Sequence, residues 1–87
     1  APFGDLTTYP NPTRDLLNVD INVYMEGRVE VAVMNMLGQE ARPTTSLTVA
    51  TGANRTTIDV SVLRAGTYFI RLTAGDKVVT QQFVKMD

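Results

Sequence analysis

The 87-residue chain contains no cysteine, no histidine and no tryptophan. The missing cysteines exclude a disulfide framework, a thiolate metal site and a cysteine nucleophile together. The missing histidines remove the commonest metal ligand, which is also the only side chain whose unperturbed pKa lies between about 5 and 8. Most familiar catalytic machinery goes with them. Neither sign of charge is in excess, since eight basic residues face nine acidic ones and both are scattered along the chain. That pattern carries neither the electrostatic footprint of a nucleic-acid binder nor a polybasic membrane patch. No apolar run approaches the roughly 20 residues needed to cross a bilayer, and the N-terminus lacks the basic-then-apolar pattern of a signal peptide. The chain starts at Ala1 with no initiator methionine, so it reads as a segment of a longer protein with any signal peptide upstream.

What is present belongs to a folded domain. The composition is 44% hydrophobic and 20% charged, close to the usual mix for packed domains and far from that of disordered chains. The length suits one domain spanning 1–87, with 1–8 read as a linker or as a first strand from an upstream domain. Glycine and proline punctuate the chain at Pro10-Asn11-Pro12, Glu26-Gly27, Leu37-Gly38-Gln39, Gly52-Ala53-Asn54, Ala65-Gly66 and Gly75-Asp76. The pieces between are short, rich in Val, Ile, Thr and Tyr, and alternate with period two, which favours strands over helices.

Leu17, Val19, Ile21 and Val23 alternate with Asn18, Asp20 and Asn22, the pattern of a strand with one face in a core. Val29, Val31 and Val33 repeat it after Glu26-Gly27, so these two strands are expected to form an antiparallel hairpin. Met34 and Met36 are expected to fill irregular space in the core. Residues 40–49 alternate weakly around Pro43, which cannot donate to a ladder and indicates an edge strand. Ile58, Val60 and Val62 form a further inward set. Tyr68, Ile70 and Leu72 form another, a last strand runs from about Lys77 to Lys85, and an opening strand lies around Leu6 to Tyr9.

Seven short strands with regular turn signals predict an all-β fold, a seven-stranded antiparallel immunoglobulin-like β-sandwich. A small closed barrel is the alternative. Leu63-Arg64-Ala65-Gly66-Thr67-Tyr68 favours the sandwich, because a tyrosine just after a glycine-containing crossover can return its hydroxyl to the upstream backbone as a tyrosine corner.

The residue inventory offers little chemistry. The nine carboxylates lie at turns or on the polar phase of strands, and no spacing selects an acid and base pair. The chain is therefore read as non-enzymatic, with no catalytic residue, no cofactor and no metal. No segment supplies a calcium loop, and none of the six glycines falls in a phosphate-binding pattern. Asn54-Arg55-Thr56 matches a glycosylation sequon, but Asn54 is read as a turn residue. Pro10-Asn11-Pro12 is rigid punctuation between strands, or a stiff hinge to whatever precedes it.

In order along the chain, Tyr9-Pro10-Asn11-Pro12, Leu16-Leu17-Asn18-Val19, Leu37-Gly38-Gln39, Leu63-x-Ala65-Gly66-x-Tyr68-Phe69-x-Arg71 and Phe83-Val84-Lys85 together resemble the C-terminal sorting domain of type IX (Por) secretion. The resemblance spans residues 9 to 87. It implies a C-terminal secretion signal that directs its parent protein through the type IX translocon, by way of the periplasm, to the outer membrane and cell surface or the medium. It also implies contact with the outer-membrane translocon and with shuttle and sortase-like components, and a link to anionic lipopolysaccharide through the parent protein. The positions that correspond to the family's motifs are Gly66, Tyr68 and Arg71 and the segment Lys77 to Lys85, in which Lys77, Val78, Phe83, Val84 and Lys85 are the candidates for translocon recognition. Two features depart from the family: Met86-Asp87 follow Lys85, and Gln39 stands where arginine is frequent.

A terminal strand is a natural surface for a receptor that reads main chain and shape. Arg71 and Lys85 are assigned to its polar phase, open to an acidic partner, and weak self-association through an open edge strand is a further expectation. No nucleic-acid partner is expected. The rival function is an adhesive or structural immunoglobulin/fibronectin-like module of a larger surface protein.

Overall fold

The structure, a computed structural model, describes residues 3–87. They form seven strands: β1 (Phe3–Tyr9), β2 (Leu16–Val23), β3 (Gly27–Met34), β4 (Glu40–Val49), β5 (Gly52–Asp59), β6 (Gly66–Ala74) and β7 (Lys77–Lys85). Two antiparallel sheets result, in the orders β1-β2-β5 and β4-β3-β6-β7, so the fold is a sandwich and not a closed barrel. The alternating apolar residues of both sheets meet between them. Leu17, Val19 and Val23 of β2 face a core shared with Val31 and Val33 of β3, Ile70 and Leu72 of β6 and Phe83 of β7. Each such side chain stabilises the fold by about 1.5–3 kcal/mol when fully removed from water.

The expected β2–β3 hairpin does not form. β2 pairs with β1 and β5, whereas β3 pairs with β4 and β6. Alternation states which face of a strand is buried but not which neighbour supplies its hydrogen bonds, and the two strands face the same core from opposite sheets. The methionines also depart from expectation: Met34 is only half-buried and Met36 is exposed, because Met34 is the last residue of β3 and Met36 lies in the loop after it. Val62 is 84% exposed. Its strand stops at Asp59, whose Oδ1 accepts hydrogen bonds from the Ser61 N–H (2.9 Å) and hydroxyl (2.6 Å). This side-chain-closed turn breaks the period, and Leu63 enters the core in place of Val62.

Other expectations hold. β4 is an edge strand, and its ladder with β3 is interrupted near Arg42 and Thr45, either side of Pro43. The opening strand is longer than expected and pairs with β2 from Phe3 to Tyr9. Asn54 serves its turn, donating from Nδ2 to the Ala50 and Gly52 carbonyls. The Tyr68 hydroxyl donates to the Arg64 carbonyl at 2.7 Å, which completes the tyrosine corner.

The register gives the sandwich two distinct ends. Val23, Gly27, Val49, Gly52, Ala74 and Lys77 terminate strands at the end where Phe3 enters the fold. Loops 10–15, 35–39 and 60–65 gather at the other end with Met86 and Asp87.

Candidate recognition surface

β7 is an edge strand whose one neighbour in the sheet is β6, over an unbroken register from Gly66↔Lys85 to Ala74↔Lys77. Its Lys85 end is closed by a segment far away in sequence. The Thr13 N–H donates to the Val84 carbonyl (2.9 Å), the Met86 N–H donates to the Thr13 carbonyl (2.8 Å), and the Val84 N–H donates to Asn11 Oδ1 (2.9 Å). Thr13 and Lys85 form a parallel bridge there. The loop carrying the two prolines is thus a clasp over the end of the terminal strand. The only polar or charged side chains that are buried among the described residues, Thr13 and Lys85, both belong to it. Thr13 satisfies its hydroxyl on the Leu16 carbonyl, and Lys85 Nζ donates to the Met86 carbonyl at 3.0 Å, as burial of polar groups requires.

This placement corrects the phase of Lys85. It is 4% exposed, on the inward phase that runs Val79, Gln81, Phe83, Lys85, and is not open to an acidic partner. Counting by two from Phe83 predicts as much. The eight candidate residues therefore divide. Phe83 is fully buried, and its ring stacks on the half-buried Tyr68 with centroids 5.8 Å apart. Gly66, Arg71, Lys77, Val78 and Val84 reach the surface. Gly66 and Val84 lie at the clasp end, whereas Lys77 and Val78 lie about 20 Å away at the far end of β7, given the rise per residue of an extended strand. Arg71 sits midway on the outer face, in register with Ala32 and Thr80.

The residues missed in the sequence are Asn11 and Thr13. The signal was the position of two short polar side chains beside prolines, since such residues cap backbone groups that a strand leaves free.

Outside this region, a cluster of hydrogen-bonded polar side chains lies on the outer face of the three-stranded sheet. Arg55 donates to both oxygens of Asp20 (Nε–Oδ1 2.8 Å, Nη2–Oδ2 3.2 Å), and the Tyr9 hydroxyl donates to Oδ2 at 3.0 Å. The Arg55 guanidinium also lies 5.5 Å from the centre of the Tyr9 ring. Hydrogen bonding from Arg55 holds the Asp20 carboxyl below the usual carboxylate range. Desolvation and the bond to Asp20 raise the Tyr9 hydroxyl. An open hollow of about 430 Å³ adjoins the cluster. The Asp20 carboxylate is held by three protein donors from β1 and β5, so the arrangement braces three strands. Among the described residues no group of three or more His, Cys, Asp or Glu is placed to hold a metal ion, and no helix is long and apolar enough to cross a membrane.

The fold and this surface define a β-sandwich module whose distinctive feature is a clasped terminal strand. The chain matches the description "Secretion system C-terminal sorting domain" over residues 7–86 and belongs to that family. It is a C-terminal sorting signal for type IX secretion, which directs its parent protein toward the cell surface or the medium. Its partners lie in the type IX machinery. No match to a curated protein was found.

Proposed function

We propose that the domain acts without catalysis, as a folded address that travels through the periplasm and is read there by the outer-membrane translocon with its shuttle and sortase-like components. The observation that carries this reading is the edge position of β7, whose outer residues Val78, Thr80, Gln82 and Val84 lie on a surface-facing phase. A reader of main chain and shape engages such an edge by strand addition or by docking on the sheet. Of the family's motif positions, Gly66, Arg71, Lys77, Val78 and Val84 are the ones a partner touches, while Tyr68, Phe83 and Lys85 hold the strand in place. Residues 1–87 work as one unit, because Phe3 packs in the core. Joining of the parent protein to anionic lipopolysaccharide, and weak self-association along the open edge, belong to the same reading.

The test is a fluorescent reporter fused ahead of residue 1 and expressed in strains with and without the type IX translocon. Deleting 77–87 is uninformative, because it removes Phe83 from the core; Arg71→Glu and Lys77→Glu change only exposed charges. Surface fluorescence that depends on the translocon and falls in these variants is expected. Surface display in the strain lacking the translocon refutes the role.

A further inference from the structure

The large apolar side chains left exposed are unevenly placed. Leu16, Met36, Leu37, Val62, Val84 and Met86 lie at the clasp end, against Tyr24, Met25 and Val78 at the other. Single exposed apolar residues need no explanation, but several gathered at one end of a domain mark an interaction site.

Two of these residues sit on loops closed by hydrogen bonds. Leu37, 82% exposed, sits in a turn built by Asn35. The Asn35 N–H donates to the Gln39 carbonyl (2.9 Å) and the Gly38 N–H to the Asn35 carbonyl (3.0 Å). Asn35 Oδ1 accepts from the Leu37 and Gln39 N–H groups (2.9 and 3.0 Å), and its Nδ2 donates to Gln39 Oε1 (3.0 Å). Gly38 has φ +80°, a left-handed conformation that disfavours any other residue. Val62 lies in the loop closed by Asp59 on Ser61 and by the Leu63 N–H on the Val60 carbonyl (3.0 Å). A turn that spends five hydrogen bonds to present a leucine to water has no folding reason to choose leucine. As an anchor it is favourable, since a turn whose backbone is already ordered loses little conformational freedom on binding.

We propose that the clasp end, with Leu37 and Val62 as anchors, docks in an apolar pocket on a protein of the export machinery. The inference rests on the sorting role. Topology identifies the occupant: the parent protein attaches ahead of Phe3, at the opposite end, so the clasp end is the one turned away from the cargo. Exposed charge at this end is mixed, with Arg14 and Arg64 against Asp15, Glu40, Asp59 and Asp87, so the apolar anchors meet a pocket whose rim is neutral or basic. The address is then a folded surface assembled from three loops and residues 86–87.

The test compares the reporter fused to the wild-type domain with Leu37→Ser/Val62→Ser and with Met25→Ser at the opposite end, all in the strain carrying the translocon. Loss of two anchors is expected to lower surface fluorescence about tenfold or more, with Met25→Ser unchanged, because a few residues carry most of a docking energy. Isolated domains are melted alongside. Should the double variant melt early, the single Leu37→Ser carries the same comparison. Wild-type surface levels in the double variant overturn the proposal. Failure of the wild-type fusion itself to reach the surface overturns the sorting role instead. Light scattering showing a wild-type dimer that the variant loses makes a second copy the occupant and also overturns the proposal. Binding of wild type but not variant to phosphatidylethanolamine and phosphatidylglycerol vesicles does so in favour of a lipid surface.

Discussion

Replacing Tyr68 with phenylalanine removes one oxygen and keeps everything else the side chain does. The ring stays half-buried and stacked on Phe83, so the apolar and aromatic contributions are unchanged. What is lost is the 2.7 Å hydrogen bond from the hydroxyl to the Arg64 carbonyl. The net worth of such a bond is about 1 kcal/mol, and an acceptor left buried costs more. Arg64 is exposed, so water reaches its carbonyl and the loss stays near that figure. For a domain of this size, 1 kcal/mol lowers the melting temperature by about 4–8 °C. Urea unfolding followed by circular dichroism reads the same change as a lower midpoint with the slope unaltered, because the area exposed on unfolding does not change. An unaltered midpoint refutes the tyrosine corner as a stabilising contact. A changed slope refutes the claim that only one hydrogen bond was removed.

Asn11→Ala takes away the acceptor of the Val84 N–H and leaves the two main-chain bonds of Thr13 in place. Amide exchange at Val84 is expected to accelerate while that of Phe83 does not, and equal protection at Val84 in both proteins contradicts the clasp. Acid sensitivity provides another test. The Asp20 carboxyl is depressed in the folded protein relative to its unfolded value near about 4. Its contribution is therefore present above that value and lost as pH falls through the lower folded pKa. Asp20→Asn removes this part of the acid limb, by a small amount that added salt reduces further, because the pair is exposed. Identical acid limbs for both proteins, measured by urea midpoints from about pH 2 to 7, rule it out.

The legibility of this fold differs from strand to strand. β2 is plain in the sequence because it alternates cleanly between Pro10-Asn11-Pro12 and Glu26-Gly27, and β6 and β7 are delimited by Ala65-Gly66 and Gly75-Asp76. β5 is only partly legible: Val60 and Val62 continue its period on paper, but the Asp59 side chain closes a turn whose effect is invisible to a count of apolar residues. The candidate site fared similarly. Arg71 stands on the outer face, as its phase indicates, whereas Lys85 carries a charge and was assigned to water by its chemistry. Its phase from Phe83 and the clasp above it decide otherwise.

The residues by themselves determine that this chain is all-β, that it has one core, and that it lacks the side chains of most catalysis, because these depend on local period and on composition. Which strands pair, and what meets at the ends of the sandwich, were decided only in the tertiary structure. Hydrogen bonds between strands join backbones, and backbones carry no sequence. The clasp joins Asn11 and Thr13 to Val84 and Met86 across more than seventy residues, and nothing local in either segment specifies the other. The absence of cysteine and histidine excludes only the chemistry that needs those side chains; the gathering of loops at the clasp end exists only once the chain has folded.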